Sequence, residues 1–125
     1  MLVRCSNYKT KIEVREESKV NDAAKKFDDG KLRFELVPTA IQFECAKVYT
    51  DGAKKYGDRN WEKGLAVSRA FGSVMRHVMK FWSGQDIDPD HGTHHLAHAI
   101  VELQMIHETL RVHPELDDRP NPSMR

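Results

Sequence analysis

The sequence predicts an all-α protein, an antiparallel bundle of three helices with a short irregular or β arm at its N-terminus. Three segments place apolar residues at helical spacing, and glycine or proline residues stand where each should end. Short polar loops connect the segments, as antiparallel neighbours require. With 125 residues the chain has room for one domain. We expect an arm over residues 1–30, a helical domain over 31–115 and a flexible tail over 116–125.

The first helix is expected to follow an extended entry over residues 31–38, KLRFELVP. Pro38 suits the first turn of a helix, where its missing N–H is not needed. The helix should run to about Lys55, and Gly57 supplies a residue that adopts a left-handed cap. Residues 58–64, DRNWEKG, are predicted as a loop. The apolar side of this helix comprises Ile41, Cys45, Val48, Tyr49 and Gly52.

The second and third helices are expected over Val67 to Trp82 and about Thr93 to Val112. A polar, acidic loop joins them, and Pro114 ends the third because proline disfavours helical geometry in the preceding residue. The predicted buried stripe of the second helix is Val67, Ala70, Phe71, Val74, Val78 and Phe81. The predicted stripe of the third is Leu96, Ala99, Ile100, Leu103, Ile106 and Leu110.

Composition narrows the class of protein. Lysine plus arginine (20) nearly balances aspartate plus glutamate (19), so the summed positive charge that coats nucleic acid or a membrane surface is missing. The two cysteines lack metal-type spacing, and no apolar run has the length of a signal peptide or a membrane span. We expect a cytoplasmic protein with no nucleic-acid or membrane partner. A small core favours a homo-oligomer, a dimer or tetramer.

The run from Asp86 to His98, DIDPDHGTHHLAH, places three aspartates and four histidines within thirteen residues. At about 100° per residue, His95, His98 and Glu102 share one face of the third helix, at the edge of its apolar stripe. Two imidazoles three positions apart can converge on one divalent ion, and Asp88 offers an oxygen ligand. The alternative is an acidic loop that caps a helix, followed by surface histidines.

The first two helices also carry candidate residues. Glu44 is bracketed by apolar neighbours, and a partly buried carboxylate needs a cation, a metal or a proton. We predict a catalytic and metal-binding role for Glu44, with a surface ion pair to Lys47 as the alternative. Arg76 suits a phosphate group because guanidinium binds phosphate oxygens in pairs. His77 lies nearer the buried side and is a candidate proton shuttle, because its ordinary pKa is close to working pH.

The loop after the first helix mixes cations, an amide and aromatic rings. Tyr56 and Trp61 could stack on a nucleotide base, while Asn60 could pair with a base edge. Lys55 adds a positive charge for phosphate. The alternative is that these aromatic rings simply anchor the loop to the core.

Four strings resemble the phage and bacterial dATP/dGTP diphosphohydrolase N-terminal domain family. In order they are KLRFELVP, GAKKYGDRNWEKG, RH and DIDPDHGTHHLAH, and the resemblance covers residues 31 to about 110. It implies a MazG-like, all-helical pyrophosphohydrolase that acts on deoxypurine triphosphates with Mg²⁺ or a similar ion. The implied products are the monophosphate and pyrophosphate. In phages this implies remodelling of the nucleotide pool in the host cytoplasm.

The resemblance also marks individual positions. They are Lys31, Arg33, Lys55, Tyr56, Asn60, Trp61, Arg76, His77, Asp88, His95 and His98. The Glu-Glu-x-x-Glu motif of MazG-like enzymes is absent, because the Glu16-Glu17 pair is followed by SKV.

We therefore expect substitute metal ligands and assign the remaining positions to substrate. The metal would be held by Glu44, Asp88, His95 and His98. Because histidines favour softer ions, Mn²⁺, Fe²⁺, Zn²⁺ and Co²⁺ are candidates beside Mg²⁺. The substrate-binding residues would be Lys31, Arg33, Lys55, Tyr56, Asn60, Trp61 and Arg76.

Three other functions fit the same residues. A non-catalytic module that sequesters a nucleotide would use the cations and aromatic rings without a metal. A histidine/aspartate phosphohydrolase would release intact triphosphate and a nucleoside. A helical dimerisation module would carry its histidines incidentally.

Overall fold

The computed structural model describes residues 24–121 and contains three α-helices. They are α1 (Ala40–Tyr56), α2 (Val67–Trp82) and α3 (His95–Val112), with short 3-10 helices at Phe34–Leu36, Asn60–Lys63 and Pro114–Leu116. No β-strand occurs within residues 24–121, and the all-α prediction is confirmed. Most of the predicted arm, residues 1–23, lies outside the described residues.

Two units make up the chain, Met1–Phe34 and Glu35–Arg125, and all three α-helices belong to the second. In the first unit, residues 24–34 are exposed. Over residues 24–121 no helix is both long enough and apolar enough to cross a bilayer.

The helix boundaries follow the sequence closely except at the starts of α1 and α3. Pro38, predicted in the first turn, precedes α1, which begins at Ala40 after the N-cap residue Thr39, and the predicted extended entry contains the 3-10 helix Phe34–Leu36. α2 has the predicted bounds, and Gly57 ends α1 with a φ of 94°. α3 begins at His95 rather than Thr93 because His94 pairs with Ile87 in an antiparallel bridge. The His94 side chain then accepts a hydrogen bond from the Leu96 N–H and caps the helix.

α3 is the central helix and packs on both of its neighbours. Against α1, Cys45, Ala97 and Val101 form a buried cluster. Glu44 contacts His94, and further along both helices Tyr49 Oη donates to Gln104 Oε1 (2.8 Å), so α1 runs parallel to α3. α2 runs antiparallel to α3 and buries Val67, Ala70 and Val74, and a polar contact between Ser73 and Glu102 also joins the two helices.

The central position of α3 corrects the two predicted stripes. Leu103 and Phe71 are 51% and 54% exposed, although both were predicted to be buried. His95 and His98, predicted at the edge of the core, are 0% and 8% exposed. For α3 the physical reason is that a helix between two others buries two faces, so a single apolar stripe is the wrong template. The buried residues of α3 are His95, Ala97, His98, Ala99, Val101 and Thr109.

Candidate functional site

Backbone hydrogen bonds within the loop between α2 and α3 hold it in a conformation that buries the carboxylate of Asp88. The N–H of Asp88 donates to the carbonyl of Thr93 (2.9 Å), and the N–H of Gly92 donates to the carbonyl of Asp88 (2.7 Å). Gly92 has a φ of 73°, a left-handed conformation that glycine adopts without steric cost. The result is that Asp88 is only 3% exposed, in a loop that is otherwise largely exposed.

Three side chains from α2, this loop and α3 form a metal-capable group: His77, Asp88 and His98. One ligand atom from each lies within 4.8 Å of the others. His77 Nδ1 and His98 Nε2 are each 4.0 Å from Asp88 Oδ2, and the two imidazole rings stack with centroids 4.6 Å apart. Two imidazoles and one carboxylate are a donor set that fits Zn²⁺, Mn²⁺, Fe²⁺ or Co²⁺, with further coordination positions free for water or phosphate.

The protonation states of the group suit a cation. Burial, together with the neighbouring imidazoles of His98 and His95, lowers the pKa of His77 to about 4. That value is well below working pH, so it removes the reason for which His77 was predicted as a proton shuttle. Burial also lowers the pKa of His98. For Asp88, burial acts to raise the pKa, but the Asp90 N–H (2.9 Å) and the surrounding histidines lower it on balance. Near neutral pH the group therefore offers two neutral imidazoles and one carboxylate, the forms that bind metal.

His95, predicted as a metal ligand, lies beside this group with both ring nitrogens in hydrogen-bonding contacts. Its Nδ1 is 2.9 Å from Nδ1 of His77, and its Nε2 is 2.7 Å from Oε1 of Gln85. A second buried contact joins Thr93 Oγ1 to His98 Nε2. Sequence reasoning missed Gln85 and Thr93. A polar residue in a loop and a threonine before a helix are typical of a linker and a cap, so neither carries a signal of its own.

Glu44, predicted as catalytic and metal-binding, is outside the metal-capable group. Its Oε1 pairs with Lys47 Nζ at 2.7 Å, and its Oε2 accepts from the His94 N–H at 3.4 Å. The Lys47 contact and the His94 N–H lower the pKa of Glu44. Another α1 carboxylate, Asp51, acts to raise the pKa of His98, against the larger effect of burial.

A second carboxylate lies between α2 and α3. Glu102 Oε1 accepts a hydrogen bond from Ser73 Oγ at 2.9 Å. Burial raises the pKa of Glu102, although the Ser73 hydrogen bond and the positive charge of Arg76 oppose that rise. Arg76, predicted to bind phosphate, therefore lies near a half-buried acid, and its own side chain is exposed.

The predicted base-binding loop lies toward the other end of α3. Trp61 packs on Tyr49, with ring centroids 5.9 Å apart, and lines a cleft with the last turn of α3, including Thr109. Thr109 follows His98 by eleven residues, which is about 16 Å along a helix. The structure thus places Trp61 away from the metal-capable group.

The other predicted substrate-binding residues lie elsewhere. Tyr56 is 62% exposed, and Lys55 Nζ lies 5.1 Å from the centre of its ring. Asn60 begins the 3-10 helix that carries Trp61. Lys31 and Arg33 are exposed and belong to the first unit of the chain.

Comparison with known proteins identifies the family. The family model described as dATP/dGTP diphosphohydrolase, N-terminal, matches residues 21–119. The chain belongs to this family. The match includes all three helices of the family domain and each member of the metal-capable group. The resemblance expected from the sequence is therefore confirmed.

One relative carries the same name. A dATP/dGTP diphosphohydrolase of Salmonella phage PMBT28 is 39% identical over 94 residues, which are 75% of this chain and 32% of the relative. The family domain described here therefore spans about a third of that protein's length. No solved structure matches the chain.

Proposed function

We propose that this chain is part of a metal-dependent hydrolase that converts dATP or dGTP to the monophosphate and pyrophosphate in phage nucleotide-pool remodelling. The observation that carries the proposal is the largely buried group of His77, Asp88 and His98, whose ligand atoms are at most 4.8 Å apart. Family membership and the name of the Salmonella phage relative support the substrate. A surface cluster of histidines would not account for two buried donors and a third that is only 15% exposed, drawn from three elements.

His77, Asp88 and His98 would hold the divalent ion. When bound, such an ion polarises a phosphate oxygen and lowers the pKa of a water molecule. The carboxylate of Asp88 supplies the negative charge, and because the pKa of each histidine is lowered, each imidazole is neutral near pH 7 and keeps one nitrogen without a proton. Arg76, exposed on α2, would bind a phosphate group with its guanidinium.

Glu44 and the remaining predicted residues keep roles in the proposal. Glu44 accepts from the backbone of His94, next to the buried Thr93, so it is a candidate to orient water at this end of the bundle. The positive charges of Lys31, Arg33 and Lys55 suit the triphosphate. Tyr56, Asn60 and Trp61 suit a base.

Product analysis tests this function. The full chain is incubated with dATP or dGTP and Mn²⁺, and we expect the deoxynucleoside monophosphate and pyrophosphate. Intact triphosphate with a deoxynucleoside would indicate a histidine/aspartate phosphohydrolase instead. Bound but unchanged nucleotide would indicate a sequestering protein. Absence of both nucleotide and metal binding would favour a dimerisation module.

A matched pair of variants tests the site. His98→Gln removes a buried ring of the metal-capable group, whereas His107→Gln changes an exposed histidine of the same helix. We expect the first to lose hydrolysis and Mn²⁺ binding, measured by calorimetry, and the second to keep both. Full activity in His98→Gln would contradict the assignment.

A further inference from the structure

Gln85, His95 and His77 form a chain of side-chain hydrogen bonds next to the metal-capable group. Gln85 Oε1 is 2.7 Å from His95 Nε2, and His95 Nδ1 is 2.9 Å from His77 Nδ1. His95 is fully buried at 0% exposure, and the side chain of His77 is 15% exposed. Both nitrogens of His95 thus have side-chain partners, and His95 is not a member of the metal-capable group.

The oxygen of Gln85 determines which group donates and which accepts in each of these two hydrogen bonds. An amide oxygen only accepts, so the Nε2–H of His95 donates to Gln85. A neutral imidazole carries one N–H, so Nδ1 of His95 is bare and accepts from the Nδ1–H of His77. A neutral His77 that holds its proton on Nδ1 has its lone pair on Nε2. Asp88 Oδ2 lies 4.0 Å from His77 Nδ1, too far to compete for that proton.

The opposite direction would disable His77. If Gln85 presented its amide NH₂ group, Nε2 of His95 would accept and Nδ1–H of His95 would donate to His77. The proton of His77 would then be on Nε2, and neither of its nitrogens would be free for a cation. The oxygen of Gln85 thus determines which nitrogen of His77 is basic.

We infer that Gln85 and His95 are positioning residues that hold His77 in the Nδ1–H tautomer and present its Nε2 to the bound cation. Histidine ligands of metal sites usually donate their second N–H to a protein acceptor, which fixes ring orientation and raises ligand basicity. Here the acceptor is the imidazole of His95, which is oriented by the side-chain amide of Gln85. The inference rests on the proposed metal role of His77, and it replaces the predicted ligand role of His95.

Nitrogen NMR of the metal-free full chain reads the tautomer directly. With ¹⁵N-labelled histidine near pH 7, we expect His77 of the wild type to show Nδ1–H and a bare Nε2. Gln85→Glu and His95→Asn keep an acceptor oxygen at the corresponding places and should retain that pattern. Gln85→Leu and His95→Leu remove the acceptor, and His77 should shift toward the Nε2–H form.

Calorimetry with Mn²⁺ or Zn²⁺ alone gives the second readout. We expect His95→Leu and Gln85→Leu to weaken metal binding by about 10- to 100-fold. His95→Asn and Gln85→Glu should stay within a few-fold of the wild type, and the exposed His107→Leu should match it. If His95 served only in packing, His95→Asn and His95→Leu would have the same metal affinity at equal helical content.

Several results would overturn the inference. They are a wild-type His77 protonated on Nε2, a metal-induced shift at His95 or at Nδ1 of His77, and unchanged metal affinity in a folded Gln85→Leu variant. Because Gln85 is exposed, we expect its variants to fold, and they test the inference if the His95 variants do not fold. Neither readout involves nucleotide hydrolysis, so failure of the proposed reaction and failure of this chain of hydrogen bonds give different results.

Discussion

The residues of the metal-capable group are ionisable side chains that lie in or next to the core, where removing them from water costs free energy. Burying an ionisable group without a partner costs several kcal/mol or shifts its pKa. Within residues 24–121, every buried side-chain nitrogen or oxygen has a hydrogen-bond partner. The partners of His77 and His98 are other site residues or their immediate neighbours, His95 and Thr93. The site is therefore polar and closely paired even without a ligand.

The low pKa of His77 predicts a pH dependence of stability in the metal-free protein. In the unfolded chain the imidazole titrates near 6.5, and in the fold near 4. Between those values the unfolded state binds more protons, so the free energy of unfolding falls as the pH falls through this window. The loss attributable to His77 is up to about 3 kcal/mol.

Urea unfolding of metal-free protein at several pH values between 7 and 4 measures this effect. His77→Gln should flatten the profile over that window, whereas His107→Gln, at an exposed position of α3, should leave it unchanged. An equally steep profile in His77→Gln would assign the pH dependence to other groups.

The raised pKa of Glu102 predicts the opposite pH dependence of stability from that of His77. Because burial raises its pKa in the fold, ionisation above its ordinary value near 4.5 is less favourable in the folded state, and stability falls as the pH rises. Glu102→Gln stays neutral and keeps an acceptor for Ser73, so we expect a higher melting temperature at pH 7 and none of that gain at pH 4.

Glu108→Gln is the control for this variant. The pKa of Glu108 is lowered by its Arg111 hydrogen bond, so the same chemical change there should not stabilise the protein at pH 7. Equal shifts in the two variants would contradict the role of burial at Glu102.

Among the elements, the connection between α1 and α2 depends on one glycine. Gly64 has a φ of 92°, and a Cβ there would lie 2.5 Å from Leu116 Cδ1 and 2.9 Å from His113 Cδ2. The connection and the C-terminal 3-10 helix are also joined by the contact between His113 Nε2 and the Glu62 carbonyl. Close approach of backbone to side chain, as well as the left-handed φ, requires glycine at this position.

Gly64→Ala should therefore destabilise the protein by about 2 to 4 kcal/mol, from backbone strain and displaced neighbours together. The matched change Gly52→Ala is within α1, where a Cβ meets nothing within 4 Å. That variant should gain about 0.5 to 1 kcal/mol from helix propensity. Thermal unfolding compares the two, and equal effects would contradict the role of the close approach.

For the whole molecule, the small size of the core is the main feature. Within residues 24–121 the buried apolar residues are Cys45, Val67, Ala70, Val74, Ala97, Ala99 and Val101, none larger than valine. Meanwhile α2 presents an exposed apolar stripe whose members recur at helical spacing: Phe71, Met75, Met79 and Trp82. A chain with so little buried apolar surface gains stability by covering such a stripe with the same stripe of a second copy.

We predict that the protein forms a homodimer through this stripe. Light scattering after size-exclusion chromatography should give twice the chain mass, and Met79→Glu should give a single-chain mass because it buries an unpaired charge. Lys54→Glu, an exposed change on α1, should leave the dimer intact. A wild-type mass of one chain at high concentration would contradict the dimer.

The sequence by itself determined the three helices, because apolar spacing, prolines and glycines are local signals. It also determined the family, and it singled out Asp88, His98 and His77 as candidate site residues. It did not predict the 3-10 helix at Asn60–Lys63, which occupies the segment predicted as a loop. It also did not predict that the backbone of His94 pairs with Ile87, a contact between segments that delays the start of α3 to His95.

Only the tertiary structure decided which histidines face one another. Helical periodicity placed His95 and His98 on one face, but the position of α3 between α1 and α2 buried both of them. Packing against α2 brought His77 to Asp88 and His98, while Gln85 and His77 took both nitrogens of His95. Periodicity describes one helix alone, whereas burial and hydrogen-bond partners depend on what packs against it, and that is set by the whole fold.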